Sequence, residues 1–355
     1  MHNQPTALLL GAYPPPTGGI AVHIKRLASL LVEAGFSVIV VDFYGRSPVS
    51  TDDGVTVMRV GRFNMLGFVR MLLFLLRSRF SVVHLHGSSF RRGALVSRAL
   101  TSLIRARNRL VTIHSGSFVS FYDSSSDRTQ NHIRRLLDRF DTIVCVGQEQ
   151  REHLKNIGYP DDRLEVIPAF IAPKRADSSE IRLSIDELRD NVDLIVSTSG
   201  CGADYYGHHT ILQAVALARE NGLRIGLVFA FYAMYDEPYF SQLVESIGQT
   251  PNSLVYRDLS PEEFSDILYH SDVYVRATDR DGDAIAIREA IHWNCVVVAT
   301  SAVLRPRGCL LFEFNDSAEL ASQLSKAAAG FTPSYEENAP IERLLELYRV
   351  NRVVQ

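Results

Sequence analysis

The stretch "TALLLGAYPPPTGGIAVHIKRLASLLVEAG", residues 6–35, decides the fold. It opens on a near-continuous apolar run, the mark of a strand buried on both faces of a sheet. Prolines then stiffen a loop, Gly18-Gly19 opens a helix, and apolar residues recur at helical spacing from His23 until Gly35 stops them. A strand, a loop and a returning helix make half of a βαβ unit.

The unit recurs. Runs at 37–44, 81–87, 109–116 and 141–147 read as further strands, with helical patterns at 66–78, 92–106 and 129–140 between them. The Pro-, Ser- and charge-rich stretch "LEVIPAFIAPKRADSSE" (164–180) reads as a linker. Beyond it the alternation restarts, with strands at 193–200, 224–232, 252–259, 272–278 and 295–301. Helices fit at 208–221, 237–248, 261–270, 283–293 and 316–329. This predicts two Rossmann-like, doubly wound parallel-sheet α/β domains facing a central cleft: residues 1–172 and residues 173–340. A last amphipathic helix within 341–355 is free to pack back on the first domain.

Length supports two domains: the chain has 355 residues, 46% of them hydrophobic. The cysteines at 145, 201, 295 and 309 form no Cys-x-x-Cys pair, which argues against a zinc finger or disulfide framework and suits a reducing cytoplasm. No basic residue precedes the first apolar run, and the longest apolar segment, Met65 to Leu76, is interrupted by Arg70. The expected location is therefore cytoplasmic. Net charge is −3 but uneven: residues 1–172 hold 21 basic and 13 acidic side chains, a net of +8, which leaves −11 for the rest. A basic half suits anionic membrane surface or phosphate ligands, or is merely a solvated surface. No basic stripe is interleaved with aromatics, so nucleic acid is not an expected partner.

Four stretches carry candidate chemistry. Gly18-Gly19 lets a backbone approach a ligand at a helix N-terminus, and equally makes a plain strand–helix turn. "GCGADYYG" (200–207), beginning at Gly200, nearly matches a dinucleotide fingerprint, but its last glycine is displaced and the ribose-binding acid is missing. His84 and His86 share one face of a strand, and His114 ends the next. Zinc ligation is one reading of the three; hydrogen bonding at the sheet's carboxyl end, with His84 structural, is the favoured one. The fourth stretch is "DRDGDAIAIREA" (279–290). Its alternating aspartates suggest a metal clamp. Alternatively, Asp283 caps a helix, Gly282 turns the chain, amides near Asp283 and Ala284 make an anion site, and Glu289 turns toward the cleft about two turns on.

The segment 281–313, "DGDAIAIREAIHWNCVVVATSAVLRPRGCLLFE", resembles the donor-binding region of family-4 glycosyltransferases of the GT-B fold, with Asp281 and Glu289 in the places of that family's paired acids. Gly18-Gly19 and His114 match the family's glycine loop and strand-ending histidine, and "RLEVIPAFI" (163–171) its lead into the linker. Within the family, the pattern is most similar to bacterial enzymes that build surface polysaccharides. The resemblance implies retaining transfer from a UDP- or GDP-linked sugar to a polysaccharide or lipid-diphosphate-linked glycan, with no metal and no cofactor. Glu289 would hold the donor ribose, Asp281 the transferred sugar near its anomeric carbon, and His114 would touch the sugar. The amides of Gly282, Asp283 and Ala284 would grip the diphosphate with help from Gly19. The family's usual Arg and Lys after the first strand of the second domain are absent: Cys201 and Tyr206 take those places in "SGCGADYYGHH" (199–209). Arg276 is the first substitute for the missing charge, with Arg280, Arg288 and His208 as others. The basic first domain, with Arg70, Arg77, Arg79, Arg91 and Arg92 around the apolar helix 66–78, would face the acceptor and the inner membrane surface. Other activities compatible with the pattern are a nucleotide-sugar epimerase or phosphorylase, and a nucleotide-sugar-binding protein without turnover.

Overall fold

The computed structural model describes residues 4–15, 18–43, 45, 54–60, 65–88, 103–280, 284–335 and 341–349. The chain divides into two compact units, Met1–Ile171 with Asn338–Gln355, and Ala172–Glu337.

The first unit is an all-parallel sheet of β1 (Thr6–Gly11), β2 (Ser37–Asp42), β3 (Val55–Arg59), β4 (Arg79–Gly87), β5 (Arg105–Ile113), β6 (Thr142–Cys145) and β7 (Leu164–Val166). Its spatial order is β3-β2-β1-β4-β5-β6-β7, so the winding reverses between β1 and β4. Helices α1 (Gly19–Glu33), α2 (Met65–Arg77), α3 (Phe118–Asp123), α4 (Asp127–Leu137) and α5 (Gln148–Asn156) belong to this unit. On one side of the sheet, Leu8, Leu10, Leu75, Val111 and Leu136 form a core; on the other, Leu9, Leu27, Leu31, Val40 and Leu110 form a second. Gly11 allows α1 to lie close to the sheet, because a Cβ there would meet Ile24 Cδ1 at 2.5 Å.

The second unit orders its strands β10-β9-β8-β11-β12-β13, with the reversal between β8 and β11. These are β8 (Leu194–Gly202), β9 (Ile225–Tyr235), β10 (Ser253–Arg257), β11 (Val273–Arg276), β12 (Val296–Thr300) and β13 (Leu310–Phe312). All residues of β8 are buried, as a central parallel strand requires. The helices are α6 (Ser179–Arg189), α7 (His208–Glu220), α8 (Glu237–Gly248), α9 (Pro261–Tyr269), α10 (Ile285–His292) and α11 (Ser317–Ala328).

The closing helix α12 (Ile341–Arg349) belongs to the first unit. Leu344, Leu347 and Tyr348 enter its core, the Asn108 amide donates to the Leu347 carbonyl at 2.8 Å, and Arg343 pairs with Glu165.

The sequence reading missed several elements. Edge strands β3, β7 and β13 are only 5, 3 and 3 residues long, too short for a periodicity to register. Helix α6 begins inside the stretch read as linker, where Ser178 caps it by accepting from the Ile181 amide. The helix read over 92–106 is contradicted at its end: Arg105 and Ala106 open β5, whose first residues are polar and partly exposed and so lack an apolar strand's signature. Residues 92–102 of that reading lie outside the described residues.

Candidate functional site

Ligands of open α/β sheets bind beyond the carboxyl ends of the strands, where the winding reverses. Each unit brings chemistry-bearing side chains to that place.

In the second unit, β8 and β11 end in Gly200, Cys201 and Gly202 on one side and Arg276, Ala277 and Thr278 on the other. Gly200 has to be a glycine, because a Cβ there would lie 2.3 Å from Cδ1 of Tyr206. The Tyr206 ring in turn lies under the Arg276 guanidinium, 5.0 Å from ring centroid to Cζ. Arg276 is buried and donates to the Ser199 carbonyl at 2.9 Å. The strand ends are therefore tied together by an arginine resting on a tyrosine, at the place where the resemblance leads one to expect free cations. Gly207, with φ +64°, sits in the left-handed region that starts α7, and a Cβ on it would strike the Ala277 carbonyl oxygen at 2.4 Å.

His208 does not supply the missing positive charge. Burial, then the charges of Arg276 and His209, lower its pKa to about 3, so it is neutral at pH 7. Arg280 is the exposed cation here: its guanidinium lies 4.9 Å from the Tyr205 ring centroid and its Nε donates to Asp279 at 3.1 Å. Sequence reasoning did not single out Arg305. Its Nη2 donates to the Thr300 hydroxyl at 3.0 Å and the Thr278 carbonyl at 3.3 Å, which pins the ends of β11 and β12. The signal was the "RPR" at 305–307, just after a strand.

Asp281, Gly282 and Asp283 lie outside the described residues. Directly after them, α10 begins at Ile285 with Ala284 in the N-cap position. This corrects the reading of Asp283 as the cap: the helix starts later. Glu289 is therefore about one turn from the start, not two, and its side chain is buried at 4% exposure. A buried acid on the first turns of a helix at the reversal of the sheet is unusual unless partnered.

In the first unit, α1 starts at Gly19 with Gly18 as N-cap. Gly18 has φ −167°, which any residue adopts, and a Cβ there would meet nothing within 4 Å. Neither backbone nor packing demands a glycine. The loop before it is held by Arg59, buried at the end of β3. Its guanidinium donates to the carbonyls of Tyr13, Pro14 and Pro15 at 2.8, 2.6 and 2.6 Å and pairs with buried Asp42 at 3.3 Å. This clamp was not legible in the sequence, because β3 itself was not recognised.

His86 and His114 end β4 and follow β5, with His86 Nδ1 and His114 Nε2 at 3.1 Å. His23 of α1 joins them, its ring centroid 4.7 Å from that of His114. His84 is structural, bonded to the Tyr348 hydroxyl at 2.6 Å and the Thr112 hydroxyl at 2.8 Å. Burial, with the charge of Arg26 adding to it, lowers the pKa of His23 to about 4; burial also holds those of His84, His86 and His114 well below the usual value, with the neighbouring imidazoles adding to the effect. Gln150 fixes the turn after His114, donating to the Ser115 carbonyl at 2.7 Å and accepting from the Val146 amide at 2.9 Å.

Residues 17–175 match the profile of Glycosyltransferase Family 4. This marks the chain as a glycosyltransferase, similar over that segment to family 4. This glycosyltransferase is similar to the phosphatidylinositol N-acetylglucosaminyltransferase GPI3 subunit of Saccharomyces cerevisiae (strain YJM789), at 23% identity over 324 residues, 83% of this chain and 67% of the relative. Its fold is GT-B. The solved structure of Anabaena Alr3699/HepE in complex with UDP and glucose superimposes with a TM-score of 0.65 at 15% identity, over 92% of this chain and 90% of that one. Sucrose-phosphate synthase from Thermosynechococcus elongatus gives a TM-score of 0.66 at 15% identity, over 92% and 90%.

Proposed function

We propose that the glycosyltransferase moves a sugar, with retention at the anomeric carbon and without a metal at the donor, from a UDP- or GDP-linked donor to a polysaccharide or lipid-diphosphate-linked glycan. The observation that carries this reading is buried Glu289 on the opening turns of α10, the helix that follows β11 and the acidic loop. UDP and glucose in Alr3699/HepE, and UDP-glucose in a second complex of that protein, support the donor class.

The chemistry follows from the groups present. As the glycosidic bond to the diphosphate breaks, positive charge grows at the sugar and negative charge on the leaving group. The helix-opening amides near Ala284 offer fixed dipoles to the diphosphate with little reorganisation. Exposed Arg280 offers the charge that Cys201 and Tyr206 lack. Glu289 accepts from the ribose hydroxyls, and Asp281 from hydroxyls of the transferred sugar. In the first unit the bare backbone at Gly18-Gly19 lets the diphosphate approach, and His114 contacts the sugar as a neutral imidazole. Gly200, whose missing side chain makes room for the Tyr206 ring, and Arg276, which braces that ring, shape the donor pocket rather than meeting the phosphates.

The acceptor side draws on α2. Met71 and Leu75 anchor it to the core, while Leu66, Phe68, Val69, Leu73 and Phe74 are each 40% or more exposed, with Arg70, Arg77 and Arg79 among them. An apolar stripe flanked by arginines suits an anionic membrane surface at which a lipid-linked acceptor resides, and supports the reading of a peripheral enzyme at the cytoplasmic face. Among the described residues no helix is long and apolar enough to cross a membrane.

The test is transfer or donor hydrolysis across a panel of nucleotide sugars in EDTA. Activity persists in the parent and falls at least about a hundredfold in Glu289→Gln, which keeps the shape and removes the charge. A second reading, binding without turnover, is favoured by the tyrosine-rich loop at 204–206; calorimetric nucleotide binding with no turnover across the panel selects it.

A further inference from the structure

We propose that His23, His86 and His114 form a binding site for a divalent transition-metal ion of the zinc type. The imidazoles come from α1, β4 and the turn after β5, so the fold and not local sequence assembles them. Their ligand nitrogens all lie within 4.8 Å of one another. Zinc–nitrogen bonds of about 2.0–2.1 Å place tetrahedral ligands about 3.4 Å apart. The His86–His114 pair is already near that spacing at 3.1 Å, and the widest separation has to close by at most about 1.4 Å, within reach of ring rotation.

The hydrogen bonding sets the tautomer. His23 Nδ1 donates to the Ala169 carbonyl at 2.7 Å, which leaves the lone pair on Nε2. That is the outer contact by which proteins orient a metal-binding imidazole. His23 Nε2 is buried and has no hydrogen-bond partner among the described residues. An unpaired buried nitrogen is costly, and a cation would satisfy it, while His86 Nδ1 and His114 Nε2 would exchange their shared hydrogen bond for the ion. The ligand set contains no carboxylate, so the soft-to-borderline ions that prefer imidazole fit and the oxygen-seeking Mg²⁺ and Ca²⁺ do not. His84 stacks against His86 at 3.9 Å between ring centroids, but both its nitrogens are engaged, so it forms a wall and not a ligand. Three protein ligands leave a fourth position open. A consequence, which rests on the reading of His114 as a sugar contact, is that zinc withdraws His114 from the donor and inhibits an enzyme that otherwise needs no metal.

Zinc binding is measured on the full chain, stripped with EDTA and free of donor, by competition with a chromophoric chelator, so the result does not depend on the proposed transfer reaction. The expected result is a single tight ion in the parent. His23→Asn keeps a donor to the Ala169 carbonyl, removes Nε2, and weakens binding by more than about tenfold. Cobalt loaded into the unaltered chain gives the intense visible absorption of a four-coordinate site, a readout that survives if the variant misfolds. No bound ion, undiminished affinity in folded His23→Asn, or the weak spectrum of six-coordinate cobalt overturns the proposal.

Discussion

At the scale of single residues, the site depends on contacts between backbone and rings more than on free charges. Gly200→Ala pushes a methyl group into the Tyr206 ring and costs about 1–3 kcal/mol. In urea unfolding, the double variant with Tyr206→Ala falls short of the summed single losses by at least about 1 kcal/mol; strict additivity would refute the contact. Arg59→Ala takes the guanidinium away from the buried Asp42 carboxylate and from the carbonyls of Tyr13, Pro14 and Pro15, and costs about 3–5 kcal/mol in urea unfolding. His208 gives a pH signature. Its folded pKa, about 3, lies below the unfolded value near 6.5. Its contribution is therefore complete above pH 6.5 and is lost as pH falls toward 3, because the unfolded chain takes up the proton first. Urea midpoints measured across that window should fall with pH, and less steeply in His208→Asn. Some of this was legible from sequence: Gly18, Gly200, Glu289 and His114 stand at strand ends or helix starts, where patterns are strong. His23 was not legible as a partner of His86 and His114, since only the packing of α1 on the sheet brings it there. His208 was misjudged as a cation because burial does not show in a local motif.

At the scale of elements, long buried strands were read well because their apolar residues run on unbroken, as Ala7–Leu10 of β1 do. Their short edge neighbours were not, since 3–5 residues carry no period. The start of α10 shifted because Asp283 looked like a capping residue, while the helix takes Ala284 as its N-cap. Helix α2 makes a testable face. Leu73→Asp with Phe74→Asp alters exposed positions only, so the thermal midpoint stays within a few degrees. Sedimentation with phosphatidylglycerol vesicles drops severalfold if this face meets the membrane. Unchanged sedimentation would remove α2 from the acceptor side.

At the scale of the whole molecule, the doubled strand–helix alternation was visible in sequence because parallel sheets need it. The return of the last helix to the first unit was left open there, because amphipathicity states that a face is buried but not against what. The structure answers through Leu344, Leu347, the Tyr348–His84 bond and the Asn108 bond to the Leu347 carbonyl. Both sheets reverse at the strand ends where candidate side chains gather, the histidines in one unit and Glu289 in the other. The most direct measurement of the central claim is nucleotide release from UDP- and GDP-sugars in EDTA, comparing the parent with Glu289→Gln under conditions where circular dichroism finds both folded. Metal-free turnover that falls at least about a hundredfold in the variant is the predicted result. Full activity in Glu289→Gln, or turnover that appears only with an added divalent metal, would contradict the account.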